Sequence, residues 1–301
     1  MKTWPRLNLN AILAAPRPKL EFVLPNLLKG SVGLLAGPGG VGKTNFLLQL
    51  GIELALGQPL LGGYFPAQLP RKVSLVLAEE HAAVMACRLH DHVAALGDVA
   101  GQAVEPNDVS VEQLMERLVI VPAGGLNTNI CNSDDPTLFD ELVSLTSGSD
   151  LIVLDPIRRF HDGDENSSAD MTRLVQKLEV LAARAKATVM CAHHMNKSAA
   201  SAEFGEVQQA ARGSSALTDG VRWQANLLPL SVEAAKRHGI AYDDRAGYVR
   251  LLLSKSNYGP PLPELLLRRT PNGSFEPAKP DRLTTRTGKK RSSISREAPY
   301  V

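Results

Sequence analysis

The chain has 301 residues, of which 44% are apolar and 21% charged, and a formal net charge of +2. That is the make-up of an ordinary globular protein large enough to bury a core, and it excludes a fibrous or wholly disordered chain. A balance so near neutral says nothing by itself about nucleic acid. Its distribution is more telling. Residues 279–301 hold seven Lys/Arg against Asp281 and Glu297, about +5, and carry few large apolar side chains. A disordered basic tail is therefore expected there, either holding a polyanion or simply solvated. Cys87, Cys131 and Cys191 are isolated, with no C-x-x-C spacing, which fits a reducing compartment. With no run of 18 uninterrupted apolar residues and no leader pattern, the expectation is a cytoplasmic protein that does not span a membrane.

In chain order, residues 1–29 contain four prolines and one short apolar segment at 24–28, and read as an arm that packs over the domain or onto a neighbour. Residues 32–36 then form an apolar run suited to a buried strand. It leads into Gly37-Pro38-Gly39-Gly40-Val41-Gly42-Lys43-Thr44, after which Phe46, Leu47, Leu50 and Leu54 fall at helical spacing. Strand, glycine loop and helix together make a phosphate cradle, in which backbone N–H groups converge on an anion at the positive end of the helix. Lys43 would reach the β- and γ-phosphates, and Thr44 would hold Mg²⁺.

Residues 57–70 are rich in Gly and Pro and read as a loop, followed by a strand at 73–77 that ends in Ala78-Glu79-Glu80. A helix is expected from 81 to about 96, a strand at 118–121, and a helix over 136–145. Residues 151–154 are the clearest strand, running straight into Asp155. A polar loop over 162–170 precedes a strongly amphipathic helix carrying Leu174, Val175, Leu178, Leu181 and Ala182, and a strand at 188–192 ends at His193-His194. Residues 197–213 have no clear pattern and are expected to form a mobile loop. Strands are expected at 221–228, 248–253, 265–269 and 273–275. Strands alternating with helices and then a run of strands predict an α/β fold, a mostly parallel sheet flanked by helices and extended by antiparallel C-terminal strands.

Ligands of open α/β sheets bind beyond the carboxyl ends of the strands, and three polar positions fall at such ends besides the glycine loop. Asp155 has the place of a carboxylate that orders Mg²⁺ through water, with a turn or cap as the plainer reading. Glu79 can polarise a water for attack on a terminal phosphate, while Glu80 should point the other way. His193 and His194 should also face opposite ways, so a shared zinc is not expected, and a sensor of the terminal phosphate fits better.

Taken together, G-P-G-G-V-G-K-T, L-A-E-E, L-I-V-L-D-P-I-R-R-F-H, A-H-H-M-N-K, A-R-G-S-S-A-L and S-K-S-N-Y-G occur in an order that resembles the RepA hexameric replicative helicases of broad-host-range plasmids, which are RecA-like P-loop ATPases related to DnaB-type helicases. The resemblance covers residues 20–277. It implies a RecA-like ATPase domain over 30–278 and a homohexameric ring with ATP and Mg²⁺ between subunits. Single-stranded DNA would pass through the centre, and separate primase and initiator proteins would be partners.

By the same resemblance, Glu79 is the catalytic carboxylate, Asp155 the Walker B acid and His194 the sensor. Arg222 matches a finger reaching a neighbour's nucleotide. DnaB-type proteins carry K-x-R on a later strand, whereas Lys255-Ser256-Asn257 keeps only the lysine, so Arg222 and Lys255 form the candidate trans pair. DNA contact falls to the loops after Asp155 and His194. The first carries acids and no base, and the second carries Lys197 and Arg212, whose charge has simple solvation as its alternative. A RecA-like recombination or repair ATPase, or a nucleotide-gated regulatory ATPase that moves no DNA, are the competing readings.

Overall fold

The computed structural model describes residues 4, 6–66, 69–100, 109–132, 135–195 and 215–278. Nine strands form one sheet in the order β11-β10-β9-β8-β3-β7-β6-β4-β5. Its parallel part consists of β3 (Val32–Gly37), β4 (Val73–Leu77), β5 (Leu118–Pro122), β6 (Leu151–Asp155), β7 (Thr188–His194) and β8 (Trp223–Pro229). Three antiparallel strands, β9 (Tyr248–Ser256), β10 (Leu265–Arg269) and β11 (Phe275–Pro277), extend it beyond β8. The mixed sheet expected from the sequence is the one observed.

Side chains alternate across this sheet because successive residues of a strand point to opposite faces. Leu35, Leu75, Val153 and Met190 join one core with α2 (Lys43–Leu56). Leu34, Val76, Ile152 and Cys191 join a second core with α5 (Thr137–Leu145) and α6 (Ser168–Ala185). Strands buried on both faces read as continuous apolar runs, which is why they were legible. Each fully buried Leu or Ile contributes roughly 1.5–3 kcal/mol of burial free energy. Two helix ends carry clear caps. Gly57 closes α2 in the left-handed conformation, and the Ser167 side chain accepts from the Asp170 N–H at the start of α6.

Several elements differ from expectation. Helix α1 (Leu9–Ala14) and a hairpin of β1 (Phe22–Leu24) and β2 (Leu27–Leu28) occupy the region read as an arm. Val23, Leu24 and Leu27 belong to the first core, and the Trp223 indole N–H donates to the Pro25 carbonyl at 3.0 Å. Helix α3 runs over Ala82–Ala100, α4 over Val109–Arg117, α7 over Ser215–Gly220 and α8 over Val232–Arg237. Of these, only α3 was expected. The polar loop is shorter at its far end, since α6 begins at Ser168, and the last strand begins at Phe275 because Thr270, Gly273 and Ser274 close a turn before it.

Candidate functional site

The carboxyl ends of four neighbouring strands, β3, β7, β6 and β4, bring the candidate residues together. Register does this. Gly37 on β3 lies opposite His194 on β7, and Leu77 on β4 lies opposite Asp155 on β6. The glycine loop leaves β3 and enters α2 through Gly42, which holds φ +93° as the helix N-cap. Only glycine adopts that conformation without strain. Gly37 is required for a different reason: a Cβ there would lie 2.5 Å from the Leu227 carbonyl oxygen. At Gly39 and Gly40 the space a Cβ would enter is open, which leaves the mouth of the cradle free for an anion.

Lys43 is buried. Its Nζ donates to the carbonyls of Gly37 at 2.8 Å and Pro38 at 3.1 Å, and lies 3.3 Å from His194 Nδ1. Burial pushes its ammonium down to about 8, against the opposing pull of the Asp155 and Glu79 carboxylates. The Thr44 hydroxyl donates to Asp155 Oδ2 at 2.7 Å. Burial raises the Asp155 carboxyl, while the Thr44 hydrogen bond and Lys43 act to lower it.

This pair of hard oxygen donors fits Mg²⁺. Magnesium is usually held by one or two protein oxygens together with waters and substrate phosphates rather than by a full protein cage. Among the described residues no cluster of three or more His, Cys, Asp or Glu forms such a cage. Thr44 and Asp155 would hold the ion, and its charge would neutralise phosphate oxygens at the head of α2.

Glu79 follows β4 with an exposed side chain, yet its charge is felt at both Lys43 and Asp155. Glu80 is turned to a salt bridge with Arg88 at 2.6 Å. Strand geometry does not persist to these acids, because β4 ends at Leu77 and residues 78–79 form a turn, and the charge of Glu80 also acts on Asp155. The histidines, which do lie on a strand, divide between its two faces. His194 meets Lys43, whereas His193 is buried and acts electrostatically on His161, whose imidazole burial pushes below its ordinary pKa.

Arg222 and Lys255 sit elsewhere. The Arg222 N–H donates to the Val32 carbonyl, at the amino end of β3. That is five residues, roughly 17 Å of strand, from Gly37. The guanidinium is exposed. Lys255 Nζ donates to the carbonyls of Thr218 and Asp219, both at 2.9 Å, closing the end of α7. Burial lowers its pKa, Asp219 opposes this, and the charge of Arg222 adds to it, so the two cations are neighbours. Lys197 and Arg212 lie outside the described residues, as does the basic tail. A residue not expected at the site is Arg269, whose guanidinium donates to the Val41 carbonyl of the glycine loop at 2.6 Å. No motif marks it, because the contact spans 228 positions.

Comparison with known proteins agrees with this architecture. A family model described as "AAA domain" matches residues 4–200. Among solved structures, the ATPase domain of G40P is similar with a TM-score of 0.56 at 12% identity, covering 90% of this chain and 96% of that one. The RadB recombinase gives 0.51 at 18% identity, with 83% and 92% covered. A DnaB-like replicative helicase, solved with attention to its interactions with primase, gives 0.57 at 12% identity; the match covers 83% of this chain and 58% of that one. The shared feature is the RecA-like fold.

Proposed function

Because the chain belongs to the AAA domain family, we propose that it is an ATP-driven DNA motor of the RepA and DnaB type, hydrolysing ATP at the interfaces of a closed homo-oligomeric ring. Six copies are the proposed number, and movement along single-stranded DNA during plasmid or phage replication is the proposed role. Residues 30–278 form the ATPase domain, 1–29 the arm and 279–301 the basic tail. Primase and initiator would be separate partners.

The placement of Arg222 carries this reading. Its own nucleotide cradle lies at the opposite end of the sheet, beyond the reach of an arginine side chain, so an exposed guanidinium at the amino end of β8 is free to serve a neighbour's phosphates. A cation supplied in trans stabilises the charge of phosphoryl transfer and makes turnover depend on assembly. In this scheme Glu79 orients the attacking water, Asp155 and Thr44 hold Mg²⁺, and His194 reads the terminal phosphate beside Lys43. Lys255 accompanies Arg222, and Lys197 and Arg212 contact the DNA backbone.

The exposed arm supports assembly too. Trp4 is 91% exposed, Leu7 78% and Leu13 83%, and α1 buries none of its six residues within the chain. Apolar side chains so arranged mark a contact with another molecule. The RadB likeness favours one alternative, an open filament acting in recombination or repair, and a regulatory ATPase that moves no DNA is the other.

The test is ATPase turnover with and without single-stranded DNA, together with strand displacement on a forked duplex whose tails are blocked in turn. Wild type should be stimulated and should unwind from one tail, and Lys43→Ala should do neither. Absence of both stimulation and displacement in wild type would refute the motor. Particle images with ATP separate ring from filament.

A further inference from the structure

The last two strands close over the back of the glycine loop. Arg269, at the end of β10, donates from Nη2 to the Val41 carbonyl, and its guanidinium lies 5.3 Å from the centre of the Phe275 ring. Both groups press against Gly42. A Cβ there would stand 2.8 Å from Arg269 Nη1 and 2.9 Å from Phe275 Cζ. Phe275 is itself fastened to α2: its N–H donates to Gln49 Oε1 at 2.7 Å, Gln49 Nε2 donates back to its carbonyl at 2.8 Å, and its ring meets Phe46 edge-on at 5.9 Å. The β10–β11 hairpin and the first two turns of α2 are therefore joined around the loop.

We propose that Arg269 is a positioning residue for nucleotide binding, aiming the Gly42 backbone N–H into the phosphate cradle by holding the Val41 carbonyl outward. The carbonyl and N–H of one trans peptide point in opposite directions across a rigid plane. Fixing the Val41 oxygen on the hairpin side therefore fixes the Gly42 N–H on the other. The Gly42 carbonyl is already taken by the Phe46 N–H at 2.9 Å, so rotation of the neighbouring peptide is the freedom that Arg269 removes. Among the described residues no carboxylate pairs with this guanidinium, and burial lowers its pKa. Its positive charge therefore also faces the loop without local neutralisation. A preorganised donor binds phosphate without the cost of first being ordered.

The inference rests on the nucleotide-binding reading of residues 37–44, and one set of titrations separates the two. Calorimetric titration with ATP and with ADP uses the full chain as wild type, Lys43→Ala, Arg269→Ala and Arg269→Lys. Wild type should bind both nucleotides and Lys43→Ala neither. Arg269→Ala should bind both roughly tenfold more weakly, the scale of one charge-assisted hydrogen bond. Arg269→Lys, which keeps the charge and most of the volume, should fall between them.

Turnover at saturating ATP should stay within about twofold of wild type while KM rises with the Kd, since the loss is of ground-state and transition-state binding alike. In the amide spectrum, the nucleotide-induced shift of the Gly42 N–H should shrink in step with affinity. A folded Arg269→Ala or Arg269→Lys chain with wild-type affinity overturns the assignment, and so does a lowered melting temperature with affinity unchanged. If wild type binds no nucleotide, or Lys43→Ala binds as wild type does, the cradle reading fails and the role of Arg269 fails with it.

Discussion

The two ends of the parallel sheet carry charge in opposite ways. At the carboxyl end, Lys43, Thr44, Asp155 and His194 are tied to one another or to the loop by contacts of 2.7 to 3.3 Å, and Lys43 and Asp155 are buried. At the amino end, Arg222 is exposed and stands beside Lys255 rather than beside a binding loop of its own chain. The first arrangement is already organised to receive an anion. The second has the form of a contribution awaiting an acceptor. The difference teaches that the two ends are organised independently: on the proposed function, the carboxyl end would hold most of a phosphoryl-transfer site and the amino end would complete a neighbour's.

Arg222→Ala breaks the comparison most sharply. Turnover should fall by about 10³-fold or more, the scale of a lost finger, while the Kd for ATP stays near wild type. Mixing Arg222→Ala with Lys43→Ala should restore some activity, because an interface can then pair an intact cradle with an intact finger. Lack of recovery in a mixture shown to exchange subunits would place Arg222 outside the reaction. Glu79→Gln acts at the other end and should lower turnover about 10²- to 10⁴-fold with binding retained; Arg222→Ala subunits should rescue it in mixtures, and Lys43→Ala subunits, which lack a function at the same end, should not. Glu80→Gln, by contrast, removes the Arg88 pair and a charge that acts on Asp155 from a distance, and should leave turnover within about twofold.

A titration sharpens the same contrast more gently. Burial holds the Lys43 ammonium at about 8, well below the ordinary lysine value of 10.5. In the nucleotide-free chain Lys43 therefore deprotonates as pH rises through about 8, and ATP affinity should decline above that point by at most about tenfold per pH unit. The folding linkage has the opposite sign. Between about 8 and 10.5 the unfolded chain binds more protons at this lysine than the folded one, so Lys43 alone makes stability rise with pH across that window. Lys43→Met should remove both dependences, and calorimetry with denaturant melts from pH 7 to 10 would show it.

The carboxyl end was far more legible than the amino end, for physical reasons. A strand buried on both faces must be a continuous apolar run, so Asp155 stands out where residues 151–154 stop. Alternation separates His193 from His194 because both lie on β7, and the register of His194 with Gly37 supplies the contact with Lys43; it does not extend to Glu79 and Glu80, which follow the end of β4. Arg269 was invisible because its meaning lies in an antiparallel register 228 positions from its acceptor. Helix α4 escaped although its side chains keep a helical period, because it is only nine residues long and runs directly into β5. The apolar segment of the arm was legible, with packing over the domain or onto a neighbour both expected; that Val23 and Leu27 enter the core depends on a hairpin packing across the sheet face.

Lys255 gives the smallest expected effect and the finest division between the two ends. Its ammonium closes the last carbonyls of α7, where a cation also meets the negative end of the helix. Lys255→Met should therefore cost about 1 kcal/mol of stability through those bonds, measured by denaturant melts. Its effect on turnover should be less than about tenfold, because Arg222 remains exposed beside it and supplies the main charge. A turnover loss as large as that of Arg222→Ala, with stability unchanged, would mean that the ammonium leaves the α7 carbonyls when copies assemble. The amino end would then be a rearranging pair of cations rather than one finger on a fixed support, and the contrast with the preformed carboxyl end would be greater still.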